Sequence, residues 1–298
     1  MELIMFFPHI CRKISFTMCP RTPECSVIGL LLLLLLHSAA SSAQEQTMRF
    51  TQLPKDLIES RLHRFSRKNE EREITLKQMF VEAGCDGEHI SEQPMKDRKQ
   101  GNVICIRQGS TDSTVIIGAH FDHVDAYGLG VVDNWSGASL LPSLFESLKP
   151  YSPKHTLRFI GFAEEEQGLI GSDTYARQLT PEEIQKIRLV IDLDCLGLGP
   201  TEMWQTHSDP KMMASMKVAA QLIHVPLAIM NADQVGDDDS TSFRKRHIPT
   251  LMLHSITQET LGILHSPKDN ISQVRLDDYY DSYRLIDVYL RYIDGLLD

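Results

Sequence analysis

Short apolar runs alternate with amphipathic stretches along the chain from residue 54 to its end. The runs are rich in β-branched residues and end in glycine or polar turns, which predicts strands at 102–109, 113–120, 156–163, 188–199, 201–206, 225–231 and 248–255. Between most of them, apolar residues recur at helical spacing, most clearly at 136–148, 209–223 and 276–297. Strands alternating with helices predict an α/β fold, a three-layer αβα sandwich with a central, mostly parallel mixed sheet in a single globular domain.

Two further helical stretches, 54–72 and 74–84, precede the first strand and are charged on one side and apolar on the other. We expect them to form a helical cap at the sheet edge, followed by a polar loop up to residue 101. The predicted catalytic domain therefore covers 44–298, with an N-terminal helical segment at 44–100 and an α/β core at 101–298.

The first 43 residues have the composition of an export signal. Three basic residues precede an apolar run at 27–36 and a small-residue stretch at 38–43, which predicts cleavage after Ala43. Ten apolar residues are too few to span a bilayer, so an uncleaved anchor is the weaker alternative. Because the leader is long, Met18 is an alternative start. We expect an exported protein, periplasmic or extracellular, with no membrane span in the mature chain.

Charge and cysteine content narrow the class of protein. The chain is 42% hydrophobic and 23% charged, as in ordinary globular proteins, and its net charge is −10 without a basic stripe, so nucleic acid is not an expected partner. Three cysteines follow the predicted leader: Cys85, Cys105 and Cys195. Cys85 and Cys105 could form a disulfide across a short hairpin, and three buried thiols are the alternative.

Metal-ligating side chains follow several of the predicted strands. The strand at 113–120 ends in a loop with imidazoles and carboxylates, and further acidic or histidine residues follow later strands: His120, Asp122, Asp133, Glu165, Glu166, Asp194 and His265. Open α/β sheets place their sites at the carboxyl ends of strands. Two imidazoles with several carboxylates suit a pair of zinc ions bridged by one carboxylate.

Five motifs carry a resemblance to a known family. In chain order they are AHFDH, GVVDNWSGA, FAEEEQGLIGS, IDLDCLG and LHSPKDN. Together they resemble the zinc aminopeptidases of the bacterial leucyl aminopeptidase type, whose relatives include glutamate carboxypeptidases and glutaminyl cyclases. The resemblance covers roughly residues 100–297.

The resemblance implies a role for each site residue. His120 and Asp194 would bind one zinc ion, Glu166 and His265 the other, and Asp133 both. The implied catalytic pair is Glu165, the general base, with Asp122, which would hold His120 or its strand end in place. Asp239 matches an acidic position that also supports the site in the family.

Three departures from the family pattern leave alternatives open. The acidic run has an extra residue, Glu164, so Glu164 with Glu165 is the alternative base and ligand pair. Cys195 stands where relatives usually have Met, which we interpret as a core substitution. Ser240 stands where many members have His, which affects the expected substrate side of the pocket. Four other histidines and Asp192 receive no role in the site: His123, His207, His247 and His254.

The sequence therefore predicts an exported zinc-dependent metallopeptidase with two Zn²⁺ ions. Its expected partners are peptides with a free N-terminus, from which it would remove the first residue. A glutaminyl cyclase-like aminoacyltransferase with one zinc ion is the alternative, and a non-catalytic ectodomain is a third hypothesis. The sequence indicates no oligomeric state.

Overall fold

An eight-stranded mixed sheet forms the centre of the computed structural model, which describes residues 52–124, 128–231, 233 and 236–298. The strands are β1 (Ile90–Pro94), β2 (Gly101–Arg107), β3 (Thr114–His120), β4 (Thr156–Phe162), β5 (Ile187–Leu193), β6 (Thr201–Trp204), β7 (Leu227–Met230) and β8 (Thr250–His254). The predicted leader, its cleavage position and the alternative start at Met18 lie outside the described residues.

The strand order is β1-β2-β4-β3-β5-β8-β6-β7. The central strands β4, β3, β5 and β8 are parallel, and β6 pairs in parallel with β7. Antiparallel pairing joins β1 to β2, β2 to β4 and β6 to β8. The predicted mostly parallel mixed sheet is therefore confirmed, and the parallel centre brings four strand ends to one edge of the sheet.

Within the described residues, eight α-helices cover the sheet: α1 (Lys55–Leu62), α2 (Asn69–Glu82), α3 (Ser136–Ser147), α4 (Ile170–Gln178), α5 (Pro181–Lys186), α6 (Pro210–Ile223), α7 (Ser240–Arg244) and α8 (Leu276–Asp294). Helix α5 begins with a capping box, in which Thr180 and Glu183 satisfy each other's backbone N–H groups, as expected for a cap followed by Pro181.

Apolar side chains on both faces of the sheet contact these helices. On one face, Phe159 of β4 packs edge-on against Phe145 of α3, with ring centres 5.8 Å apart. On the other, Phe162 lies 6.0 Å from Phe243 of α7 and 6.4 Å from Tyr175 of α4. Burial of both faces explains why the central strands are continuous apolar runs, and it makes the fold the predicted three-layer sandwich.

The N-terminal part differs from the prediction in two places. The polar stretch before residue 101 contains strand β1, which pairs with β2 at the sheet edge. Its sequence ISEQP has no buried face, so the pattern of a half-buried strand is absent. The break between the first two helices lies at 63–68, whereas the sequence pattern placed it near residue 73. Arg72 lies inside α2, and its guanidinium donates to the Ser66 carbonyl at 2.7 Å.

Cys85 and Cys105 form a disulfide, and Cys195 is a buried free thiol. The disulfide spans the β1–β2 hairpin, with Cys85 between α2 and β1 and Cys105 within β2 opposite Ile90. It therefore fastens the N-terminal helices to the sheet. No helix within the described ranges combines the length and apolar character that crossing a bilayer requires.

Candidate metal centre

The carboxyl ends of the central strands meet at one place, and the predicted ligands lie there. His120 is the last residue of β3, Glu165 and Glu166 follow β4, and Asp194 follows β5. Two loops complete the cluster: the segment before α3 contributes Asp133 and the segment after β8 contributes His265. Parallel pairing of β4, β3, β5 and β8 explains how residues distant in sequence come together.

The first group consists of His120, Asp133 and Asp194. Nε2 of His120 lies 3.3 Å from Oδ1 of Asp133 and 3.5 Å from Oδ1 of Asp194. The other ring nitrogen, Nδ1, lies 3.2 Å from the Asp122 carbonyl oxygen. A hydrogen bond from Nδ1 to that carbonyl leaves Nε2 facing the carboxylates, in the orientation that a metal-ligating histidine needs.

The second group consists of Asp133, Glu166 and His265. Nε2 of His265 lies 3.1 Å from Oδ2 of Asp133 and 2.9 Å from Oε2 of Glu166. In each group the potential ligand atoms lie within 4.8 Å of one another. Asp133 belongs to both groups and offers one oxygen to each. The side chain of His265 is 55% exposed whereas that of His120 is 3% exposed, so the second group is the more open one.

Glu165 lies next to the two groups without joining either. Its Oε2 is 3.9 Å from Nε2 of His120. Asp122 fixes the backbone at this point: its carboxylate accepts the N–H of Glu165 at 3.0 Å and that of Glu166 at 3.2 Å. Asp122 therefore supports the turn that carries both glutamates, in addition to its proximity to His120.

Glu164, the alternative base, points elsewhere. Its carboxylate is buried and forms an ion pair with Arg98, with Nη1 and Oε2 separated by 3.0 Å. It does not line the cleft above the cluster. The arrangement therefore favours Glu165 as the unligated carboxylate and Glu166 as the ligand.

Crowding and burial shift the acid–base properties of the cluster. Hydrogen bonds to Asp133 and Glu166 raise the pKa of His265 to about 10. Burial opposes a charge on His120, but the surrounding carboxylates, above all Glu165, raise its pKa well above the usual range. Burial also raises the pKa of Glu165 and of Glu166. Positive charge placed between these groups would stabilise their ionised forms.

Asp269 is a supporting residue that the sequence reasoning did not identify. Its Oδ1 accepts the N–H of Val132 at 2.7 Å and its Oδ2 that of Asp133 at 3.1 Å. Because Asp269 is four residues after His265, it ties the loop of one group to the shared carboxylate. The aspartate in the LHSPKDN motif was the available signal.

Asn134 is a second supporting residue that was not predicted. Its side-chain amide donates to the Leu193 carbonyl at 2.7 Å, and its oxygen accepts the N–H of Cys195 at 3.2 Å. These two hydrogen bonds hold the backbone of the residues directly before and after Asp194. The residue after the shared Asp133 thus holds the end of β5 in register with it.

The residues that depart from the family pattern are buried around the centre. Cys195 is a buried thiol on the cleft wall. Ser240 is also buried, and its N–H donates to Asp192 at 2.7 Å and to Asp238 at 2.9 Å, which gives Asp192 a structural contact. Asp239 is buried next to the cluster, and burial raises its pKa to about 7.

None of the four unassigned histidines joins the two groups within the described part of the chain. Three are buried, His123, His207 and His254, and His247 is exposed. Nδ1 of His207 forms a hydrogen bond with the carboxylate of Asp238, and its ring stacks on Trp204, with ring centres 4.0 Å apart. It therefore supports an aromatic side chain of the cleft wall.

A cleft of about 670 Å³ opens above the centre. Its wall includes five mainly apolar side chains, Leu169, Trp204, Ile256, Leu261 and Leu264, and it also includes Asp237 and Lys245. This volume lies within the range of small-molecule and peptide pockets, roughly 300 to 1,000 Å³. The centre is thus accessible to a ligand that has both polar and apolar parts.

The fold and the two carboxylate–histidine groups that share Asp133 are typical of the metallopeptidase class. Residues 102–288 match peptidase family M28. The chain belongs to this family, which confirms the family predicted from the five motifs.

Similar proteins are found among curated sequences and solved structures. Aminopeptidase Y of Saccharomyces cerevisiae is 38% identical over 100 residues, which are 33% of this chain and 18% of the yeast protein. The match therefore covers about a fifth of that relative's length.

Two solved structures show the shared fold. The zinc aminopeptidase BSAP of Bacillus subtilis superposes with a TM-score of 0.59 at 23% identity, over 67% of this chain and 50% of that one. A glutaminyl cyclase of an Acidobacteriales bacterium gives a TM-score of 0.67 at 16% identity, over 85% of this chain and 100% of that one. A zinc aminopeptidase and a glutaminyl cyclase are therefore among the solved structures that share this fold.

Proposed function

We propose that this protein is a zinc-dependent aminopeptidase that hydrolyses the N-terminal peptide bond of short peptides. The observation that carries the proposal is the pair of carboxylate–histidine groups that share Asp133, with Glu165 free beside them. Membership of family M28 and the likeness to aminopeptidase Y support it.

The residues present fit two zinc ions. Imidazole nitrogens and carboxylate oxygens are zinc ligands, and three protein ligands per ion are typical of open catalytic sites. Oδ1 of Asp194 and Oε1 of Glu166 are buried and accept no hydrogen bond from the described residues. Buried carboxylate oxygens without partners are costly unless a cation binds them. His120, Asp133 and Asp194 would hold one ion, and Asp133, Glu166 and His265 the other.

Zinc in such a site supplies Lewis acidity, which polarises the peptide carbonyl and lowers the pKa of water. The chain's own residues handle the protons. Glu165 is placed to accept a proton from the attacking water and to deliver it to the leaving amine. Burial raises the pKa of the Glu165 carboxyl group above its usual range. Asp122 keeps Glu165 in place through its backbone N–H.

The cleft suits a peptide with a free N-terminus. Its acidic residues would attract the substrate's ammonium group, and its apolar wall would cover the first side chain. Leu169, Leu261 and Leu264 all lie on this wall. We therefore propose that the preferred first residue is apolar, because a polar side chain there would lose hydrogen bonds to water.

We further propose that the protein is exported. The predicted leader supports this location, and the disulfide between Cys85 and Cys105 is typical of oxidising compartments. N-terminal sequencing of protein recovered outside the cytoplasm is the direct test. A chain beginning near Gln44 is the expected result, and a chain that retains residues 1–43 would support the anchor instead.

One assay separates aminopeptidase from cyclase activity. The purified protein is incubated with leucyl peptides and, separately, with N-terminal glutaminyl peptides, and free amino acid and ammonia are measured together with bound zinc. Release of leucine with about two zinc ions per chain is the expected result. Ammonia release from the glutaminyl peptide with one zinc ion would assign the cyclase reaction. If neither leucine nor ammonia were released, the proposal would be contradicted.

A further inference from the structure

Lys245 differs from the other charged residues of the cleft. Among the described residues it is the one lysine or arginine that lines the cleft wall. It directly follows helix α7, and its N–H donates to the Thr241 carbonyl at 3.1 Å, which fixes its backbone beside the site. Its side chain is exposed to solvent. The cleft wall therefore includes one flexible lysine side chain in addition to its several carboxylates.

The ammonium group of Lys245 is available for a ligand. Asp237 is the acidic cleft residue that is nearest to Lys245 in the sequence, and its carboxylate has other partners. It accepts a hydrogen bond from the Thr241 hydroxyl at 2.9 Å and lies 4.0 Å from the Arg244 guanidinium. No carboxylate among the described residues forms an ion pair with Lys245. A substrate carboxylate would thus gain a partner without displacing one.

The chemistry of a short peptide matches this arrangement. A short peptide that is unblocked at both ends carries an N-terminal ammonium group and a C-terminal carboxylate group. An extended dipeptide separates them by about 7 Å, at roughly 3.5 Å per residue. The acidic end of the cleft suits the ammonium group, and Lys245 suits the carboxylate. Each further residue adds roughly 3.5 Å between the two groups, so a side chain that binds the carboxylate of a short peptide would not bind that of a much longer one.

We propose that Lys245 binds the C-terminal carboxylate of short peptide substrates and so makes the enzyme selective for dipeptides and tripeptides. This inference rests on the proposed aminopeptidase function. Lys245 is a specificity-determining residue in this scheme, because its contact lies away from the bond that breaks.

The test compares kcat/KM for Leu-Ala and Leu-Ala amide, which differ only in the terminal charge. The wild type should favour the free acid by about 5-fold, the upper end for an exposed charge pair, and salt should weaken the preference. Lys245→Gln should bring the ratio close to one, and Lys245→Arg should keep it. Lys217→Gln removes an exposed lysine of α6 outside the cleft and should keep the wild-type ratio.

The possible outcomes are distinct. Equal hydrolysis of both substrates by the wild type would overturn the role of Lys245 while leaving aminopeptidase activity intact. A second pair of substrates, Leu-Asp amide and Leu-Asn amide, differs only in a side-chain carboxylate. If Lys245 increased kcat/KM only for Leu-Asp amide, the proposal would also be overturned, because Lys245 would then bind a side-chain carboxylate and not the C-terminal one. Hydrolysis of none of these peptides would contradict the proposed function itself. If Lys245→Gln does not fold, the wild-type ratio and its salt dependence decide.

Discussion

The carboxylate of Asp122 accepts the backbone N–H of Glu165, with the two atoms 3.0 Å apart, although 43 residues separate them in the chain. The same carboxylate accepts the N–H of Glu166 at 3.2 Å. Asp122 itself is buried and follows β3 by two residues. The end of one strand thus sets the position of Glu165, the proposed general base, and of Glu166, a proposed metal ligand, which both follow the neighbouring strand.

We therefore predict that Asp122→Asn weakens zinc binding and lowers kcat, each by about 10- to 100-fold, as is usual for residues that support metal ligands. An asparagine side chain has one acceptor oxygen, so one of the two N–H groups would face an NH₂ group. Zinc competition with a chromogenic chelator and steady-state kinetics provide the measurements. Asp112→Asn, which alters an exposed carboxylate paired with Lys186, is the control and should retain wild-type values.

The second prediction concerns the two metal groups. We expect about two zinc ions per chain, and about one in His265→Ala, because that change removes a ligand from one group only. The exposed group should lose its ion first during chelation, so release should occur in two phases. Elemental analysis and stopped-flow chelation measure this. His63→Ala, at an exposed histidine after α1, should retain both ions. Simultaneous loss of both ions from His265→Ala would show that the two groups are not separable.

The third prediction concerns the disulfide, which closes a segment with a sequence separation of 20 residues. Replacing both Cys85 and Cys105 with Ser should lower the free energy of unfolding by about 3 kcal/mol, mainly because the unfolded chain is then less restricted. Denaturant unfolding with and without reductant measures this. With reductant, the unfolding free energy of the wild type should approach that of the variant. The unfolding free energy of the variant should not change when reductant is added. Equal transition midpoints in oxidising buffer would contradict the prediction.

The sequence marked the residues that form the two carboxylate–histidine groups more clearly than the residues that support them, and the reason is physical. His120 and Asp194 directly end or follow apolar strands, so a local pattern marks their position. Asp269 acts by accepting the N–H of Val132, 137 residues away, so the LHSPKDN motif could mark the residue but not this contact. Asn134 likewise acts through the end of β5.

The fold shows the same difference between local and long-range information. Strands β3 and β5 are buried on both faces, so their apolar composition alone was sufficient to predict them as strands. Strand β1 forms because β2 offers it a pairing edge, and its own residues ISEQP carry little strand signal. The pairing of Cys85 with Cys105 also depends on how α2 packs on the sheet, which explains why thiols remained an alternative.

The final prediction separates the roles of the two glutamates after β4. Glu165 lies 3.9 Å from His120 but belongs to neither metal group, whereas Glu166 lies 2.9 Å from His265 and belongs to the second. Glu165→Gln keeps the size and polarity of the side chain but removes its basicity. We expect the variant to bind zinc normally while kcat falls by about 10² to 10⁴, the usual contribution of general acid–base catalysis.

Glu166→Gln should fail differently, because an amide is a poorer zinc ligand than a carboxylate. Its zinc content should fall, and added zinc should restore part of its activity, which it would not do for Glu165→Gln. Glu164→Gln is the matched control: it alters the adjacent carboxylate, which pairs with Arg98 outside the cleft, and should preserve both zinc content and the chemical step. Zinc loss in Glu165→Gln together with normal zinc content in Glu166→Gln would shift the register by one residue and make Glu164 the base.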